Sequence, residues 1–383
     1  MLVAIVSLTP MILVGFLSIL IHPTTASSAE TVFELEERWD ISKSSYHVDW
    51  HPSSQELAFA TEGDEIHLRE RSDGSLISRI KVRNDPQLNI GPNYVSYSPN
   101  GTWIAVWGYS LHGGNLPDLR TVKVYDRGNL SLVFNMEFEF NAPTFDWSPD
   151  GLRFAVGTVW DSYAGSSPSN WTYIVSSISL EILEKFESPA SMRDLEWSPD
   201  GSELLVLSYA GLQKWNESGI MFLPHSFPKD IRFCCLHWAS FANIGIFSEG
   251  SSLIALDLEE MSLTNFLEVG NSIENFALSP DETVLALDTS QGHLEFYQID
   301  ILEEIYELST EVTSFEIAWS PDGLSLAIAG IGHTKMWSYS SDSNSFPFLI
   351  LVGVALLAVA AIYGLCAKMR GFRKDRDLRR KEK

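Results

Sequence analysis

The stretch Phe145-Asp146-Trp147-Ser148-Pro149-Asp150-Gly151 recurs along the chain. Leu195-Glu196-Trp197-Ser198-Pro199-Asp200-Gly201 and Ile317-Ala318-Trp319-Ser320-Pro321-Asp322-Gly323 are close copies. Looser copies read Val95-Ser96-Tyr97-Ser98-Pro99-Asn100-Gly101, Phe276-Ala277-Leu278-Ser279-Pro280-Asp281, Val48-Asp49-Trp50-His51-Pro52 and Leu236-His237-Trp238-Ala239-Ser240. Each joins a short apolar-polar-apolar strand to a turn. Proline presets the negative φ of such a turn and glycine takes the positive one.

The third residue of each copy falls at 50, 97, 147, 197, 238, 278 and 319, a spacing of 40 to 50 residues. Seven units of that length, each with several short strands, predict an all-β, seven-bladed β-propeller with four-stranded blades. A second landmark ends a later strand of each unit: Leu68-Arg69, Tyr125-Asp126, Val175-Ser176, Trp215-Asn216, Leu256-Asp257, Tyr297-Gln298 and Trp337-Ser338. It lies 18 or 19 residues after the anchor in five units and 28 in units two and three, which therefore carry insertions of about ten residues. In unit four, Asp194 to Trp197, Glu203 to Ser208, Leu212 to Asn216 and Gly219 to Leu223 read as the four strands. Runs such as Leu204-Leu205-Val206-Leu207 and Leu326-Ala327-Ile328-Ala329 have the composition of inner strands packed on both faces.

A lone strand, Val32 to Trp39, precedes the first full repeat, and the last repeat has no room for a fourth strand. The N-terminal strand is thus expected to close blade seven and remove the open edge.

These repeats resemble the WD-repeat β-propeller family over roughly Val32 to Tyr339, on the Ser-Pro-Asp-Gly turns and the strand-end pair Tyr125-Asp126. The Trp-Ser-Pro-Asp-Gly string is also similar to the repeats of TolB-type periplasmic propellers. The WD family's Gly-His pair is missing from every blade and no blade ends on Trp-Asp, so that family's hydrogen-bond network does not carry over. The resemblance implies that both chain ends leave from the bottom face and that the two insertions rise from the top.

The insertions are Tyr109 to Asp118 and Trp160 to Ser169. Both mix aromatic with small polar residues, a composition suited to recognition. Tyr109, His112, Asn115, Asp118, Trp160, Asp161 and Tyr163 are the candidate binding residues. The competing reading is a pair of tolerated surface loops.

Net charge is −24; from Lys368 onward nine Lys or Arg against three Asp or Glu give the tail +6 and leave −30 for the rest. Such a body repels phosphate backbones, which argues against nucleic acid as a partner. Residues 1–29 combine an apolar run, Leu2 to Ile21, with small residues suited to cleavage after Ala26 or Ala29, and read as a signal peptide or an uncleaved anchor. The propeller is assigned to 30–340 and a linker to 341–345. Residues 346–367 hold no charge over 22 positions, enough to cross a bilayer, and the basic tail 368–383 is placed in the cytoplasm by the positive-inside rule. The expected location is therefore the cell membrane, single-pass, with the propeller outside the cytoplasm.

No zinc spacing, phosphate loop or nucleophile elbow occurs, no turn has a dedicated calcium pattern, and no cofactor or catalytic residue is assigned. Sequons stand at Asn100, Asn129, Asn170 and Asn216, with Asn100 and Asn170 expected to be exposed. Cys234 and Cys235 read as two half-buried thiols, since adjacent strand residues point to opposite faces; a vicinal disulfide is the alternative. Cys366 ends the apolar run, where lipidation is an option. The function expected is a non-catalytic scaffold that binds a protein through its membrane-distal face. The alternatives are a propeller hydrolase or lyase acting on surface glycans and a TolB-like module of an envelope complex.

Overall fold

A computed structural model describes residues 33–339, apart from 64, 83–93, 109–120, 139–140, 160–169, 226–232, 241 and 290–291. Leu35–Ser340 form one compact unit. The repeats fold as the spacing requires, into seven four-stranded antiparallel sheets. Blade one is β2(Ser45–Trp50), β3(Glu56–Thr61), β4(Glu65–Glu70) and β5(Leu76–Lys81), counted from the axis outward. Blade two is β6(Tyr94–Tyr97), β7(Trp103–Trp107), β8(Thr121–Asp126) and β9(Leu132–Glu137). Blade three is β10(Asn141–Trp147), β11(Arg153–Val159), β12(Asn170–Ser176) and β13(Ile182–Ser188). Blade four is β14(Met192–Trp197), β15(Glu203–Ser208), β16(Gly211–Asn216) and β17(Gly219–Pro224). Blade five is β18(Phe233–Ala239), β19(Ile244–Glu249), β20(Ser252–Asp257) and β21(Ser262–Glu268). Blade six is β22(Ile273–Leu278), β23(Val284–Thr289), β24(His293–Gln298) and β25(Glu303–Ser309). Blade seven is β26(Ser314–Trp319), β27(Ser325–Gly330), β28(Thr334–Tyr339) and, on its outside, β1(Leu35–Ile41).

Ring closure by the N-terminal strand is therefore present, two or three residues later than the sequence suggested. β1 runs antiparallel to β28 from Leu35 opposite Tyr339 to Ile41 opposite Thr334. Trp39 is what fixes it: buried, it stands edge-on to Phe59 and donates its indole N–H to the Arg71 carbonyl at 2.9 Å, both in blade one. The strand thus joins the first blade to the last.

The anchor residues Trp50, Tyr97, Trp147, Trp197, Trp238, Leu278 and Trp319 are all buried, wedged between neighbouring blades. The runs Leu204 to Leu207 and Leu326 to Ala329 are fully covered, but they form the second strands, β15 and β27. Second strands are sandwiched by the blades on either side, so both faces are apolar. The innermost strands alternate buried with half-buried residues, because one side of each looks into the axial channel.

The turns keep the expected chemistry. Gly101, Gly151, Gly201 and Gly323 sit at φ between 68° and 71°. At Gly101 the space is filled as well: a Cβ there would overlap the His51 ring of the preceding blade. Where blade six has Glu282 in place of glycine, φ is still 55°. The glutamate bonds both the backbone N–H and the hydroxyl of Ser240 in blade five, at 2.8 and 2.6 Å.

In such a blade the loop between second and third strands lies at one end and the close of the third strand at the other. Leu35 and Tyr339 are therefore on the face that carries the Ser-Pro-Asp-Gly turns. Trp107 with Thr121, and Val159 with Asn170, end on the opposite face.

No helix among the described residues is long and apolar enough to cross a membrane. The leader 1–29, the linker 341–345, the apolar run 346–367 and the tail 368–383 lie outside the described residues.

Candidate functional site

Two regions stand out as candidates: the face on which the insertions are rooted, and the axial channel.

The insertion residues Tyr109, His112, Asn115, Asp118, Trp160, Asp161 and Tyr163 lie outside the described residues. Their roots are well defined. Trp107, at the end of β7, packs 5.5 Å from Tyr94 with its ring nearly parallel and 4.9 Å from Phe145 of blade three. His47 of blade one stands edge-on to Tyr94 at 5.4 Å. Phe138 meets Tyr173 at 5.1 Å. Blades one to three thus share an aromatic layer under the point where the first insertion leaves, and such layers are stiff. Thr158, beside the root of the second insertion, accepts the Trp171 N–H and donates to the Trp171 carbonyl.

The channel holds what the sequence did not single out. The residue before each anchor faces the axis: Asp49, Ser96, Asp146, Glu196, His237, Ala277 and Ala318. The three acids act as latches. Asp49 accepts the Tyr97 backbone N–H at 2.7 Å, Asp146 that of Trp197 at 3.0 Å and Glu196 that of Trp238 at 2.8 Å, each in the next blade. One layer further along, Asp194 accepts the Leu236 N–H at 2.7 Å. Where the position is alanine, the following tryptophan reaches back instead. The Trp319 indole donates to the Ala277 carbonyl at 3.3 Å and that of Trp50 to the Ala318 carbonyl at 3.0 Å. Asn275 donates to the Phe315 carbonyl and to Glu316, both at 3.1 Å.

Taking these carboxyls out of bulk water, beside one another, penalises their charge. Burial pushes Asp49 and Asp194 up to about 6, Asp146 up to about 7 and Glu316 up to about 8. Glu196 is raised well above the usual range by burial and then by the neighbouring Asp146 and Asp194. The same burial lowers His47 and His237 to about 4. The charges of Asp194 and Asp49, on blades four and one, add to the rise at Glu316 of blade seven. Among the described residues no group of three or more His, Cys, Asp or Glu is arranged to hold a metal ion. Asp49, Asp146, Asp194 and Glu196 spend at least one carboxylate oxygen on a neighbouring blade's backbone.

The sequons divide by burial. Asn100 and Asn129 are exposed in turns, each using its side-chain oxygen to accept the backbone N–H two residues on. Asn216 is half-buried and donates to Glu203 at 3.1 Å. Asn170, expected on an exposed insertion, is instead the buried first residue of β12, which disfavours glycan attachment there.

Cys235 departs from the expected pair of thiols: it is disulfide-bonded. It sits at φ 53° and is skipped by the β18–β19 ladder, which passes from Cys234 opposite Ser248 directly to Leu236 opposite Phe247. That bulge frees Cys235 from the alternation that separates adjacent strand residues. Of the other two cysteines in the chain, Cys234 is its neighbour on β18 and Cys366 lies outside the described residues.

In comparisons with known proteins, no family model and no curated protein matches the chain.

Proposed function

We propose that this protein is a membrane-anchored, extracytoplasmic scaffold that binds another protein through the propeller face opposite its chain ends. The observation that carries the reading is the pairing of Leu35 with Tyr339. Leu35 and Tyr339 lie on one face of the ring, and the roots of the two insertions, which mix aromatic with small polar residues, lie on the other. An uncharged run of 22 residues followed by a basic tail is the composition of a single-pass anchor. Attached through residues 341–345, the chain-end face would lie toward the bilayer and the insertions away from it. A closed ring, with blades latched to one another through half-buried channel carboxylates and buried indoles, is a rigid support for loops of variable sequence. The latches of Asp49, Asp146, Asp194 and Glu196 speak against those four as a free general acid or nucleophile. Glu316, raised to about 8 and bonded among the described residues only from Asn275, is the observation that keeps glycan hydrolysis as the second reading.

The test is capture of crosslinked partners from native membranes by the full chain, beside a variant whose two insertions are shortened to the turns of blades four and seven. A partner captured by the full chain and lost from the shortened one supports the reading. The same partner on both baits moves the site off the insertions. Capture of no protein by either bait overturns the reading.

A further inference from the structure

The outer edge of blade four differs from the other six. Each other outer ladder contains a register shift: β1 on β28, β5 on β4, β9 on β8, β13 on β12, β21 on β20 and β25 on β24. β17 alone pairs without a break, from Asn216 opposite Gly219 to Gly211 opposite Pro224. The cause is local. Blades one, two, three and six turn into their outer strand through a loop closed by an N–H donated four residues back. The donors are Gly74, Leu130, Leu180 and Leu302, all at positive φ. Blade four turns in two residues, Glu217-Ser218, with Gly219 at φ 139°. A tight hairpin leaves no extra residue to bulge.

The composition differs as well. β17 reads Gly-Ile-Met-Phe-Leu-Pro without a charge, whereas every other outer strand has at least one charged residue. Ile220, Met221 and Phe222 are 44%, 46% and 44% exposed. Alternation puts Met221 on one side of the edge and Ile220 with Phe222 on the other. Bulges and charges are the means by which sheet edges avoid pairing with other chains, and here both are missing together.

We propose that β17 is a docking edge for an extended segment of a partner protein, which adds to blade four as a fifth strand. Main-chain hydrogen bonds to the open side of β17 would supply register, and alternating apolar side chains would cover Ile220, Met221 and Phe222. The charge around the edge sets the flanks of the segment. Glu217 stands exposed at the head of β17, Glu181 and the pair Glu259 and Glu260 occupy the corresponding turns of the blades on either side, and residues before the tail total −30. A neutral core with basic flanks is complementary to that field, whereas a second copy of this chain would carry the same negative charge. The edge is separate from the face proposed above, so the inference stands whether or not that face binds.

The test uses the purified full chain and three fluorescent peptides: alternating Val and Thr with Lys pairs at both ends, the same core with Glu pairs, and the Lys form with every second amide N-methylated. The expected result is saturable binding of the Lys-ended peptide, at least about tenfold weaker binding of the Glu-ended one, and none of the N-methylated one. Phe222→Lys should weaken binding at least about tenfold, while Leu76→Lys on the edge of blade one leaves it unchanged. Both positions are exposed, and unchanged melting temperatures would exclude misfolding. Binding unaffected by Phe222→Lys or by N-methylation overturns the proposal, as does binding of no peptide. A concentration-dependent dimer abolished by Phe222→Lys would show that the occupant is a second copy.

Discussion

The carboxylate of Asp49 accepts the backbone N–H of Tyr97 at 2.7 Å and that of its own neighbour Trp50 at 2.8 Å, tying blade one to blade two. A residue that one strand presents to the channel thus satisfies the backbone of the next blade. Replacing Asp49 by Ala leaves both donors without that acceptor, and should cost about 1–3 kcal/mol of stability. Asp49→Asn keeps one oxygen acceptor, which can still serve the Tyr97 N–H, but turns its NH2 toward the Trp50 N–H, so it should recover only part of that loss. Denaturant melts of the two variants would separate them; a loss below about 0.5 kcal/mol for Asp49→Ala would mean that the latch contributes little.

The channel acids also set a pH dependence. Asp49 and Asp194 near 6, Asp146 near 7 and Glu316 near 8 all lie above ordinary carboxyl values, chiefly through burial, as does Asp288 near 7, which is buried on the second strand β23 rather than in the channel. A raised folded value means that the folded chain holds protons the unfolded chain has released, so stability falls as pH rises through these values. His47 and His237, lowered to about 4, work in the opposite sense below the ordinary histidine value of 6.5. Above that value only the acids remain. Melting temperature should therefore fall steadily between about pH 6.5 and 8. At the acid end Asp200, held at about 2 chiefly by its bond from Ser198, adds stability that is lost as pH drops toward that value. A melting temperature that climbs from neutral to pH 8 would contradict this.

Trp39 should be the residue on which ring closure depends most. It is 8% exposed, packs between blades one and seven, and has its indole bonded to Arg71. Trp39→Ala should destabilise by about 3–5 kcal/mol, the cost of a large aromatic removed from a core. A change below about 1 kcal/mol would mean that β1 is dispensable.

Cys235 should resist alkylation until a reductant is added, since it is disulfide-bonded. Cys234→Ser identifies the partner by peptide mass mapping. If Cys234 is the partner, Cys235 becomes alkylatable without reduction; continued protection would contradict the vicinal pairing.

The propeller was legible because its signal is repeated. Seven anchors at a steady period, a second landmark and a spare strand at Val32 to Trp39 led to blade count, strand order and closure. The runs Leu204 to Leu207 and Leu326 to Ala329 were read as buried on both faces, and both lie on second strands, the place that strand order in unit four had given to Glu203 to Ser208. The channel latches were hidden by abundance: among 50 Asp and Glu, Asp49, Asp146 and Glu196 gain meaning only from their shared place before an anchor. That register was present in the repeat itself. The open edge of β17 was legible in the shortness of Asn216-Glu217-Ser218-Gly219 beside the longer turns of its neighbours. The bond at Cys235 was not, because strand alternation argues against it and only the bulge removes the objection.

The most direct measurement places a photo-crosslinking phenylalanine analogue at Tyr109 or Tyr163 on the insertions, and at Leu152 or Ile178 on the turns of the chain-end face, in the full chain in its native membrane. Leu152 and Ile178 are 51% and 75% exposed, so both can carry the probe. The expected result is an adduct with one protein from Tyr109 and Tyr163, and none with that protein from Leu152 and Ile178. A protein adduct from the turn positions alone would contradict the proposed working face.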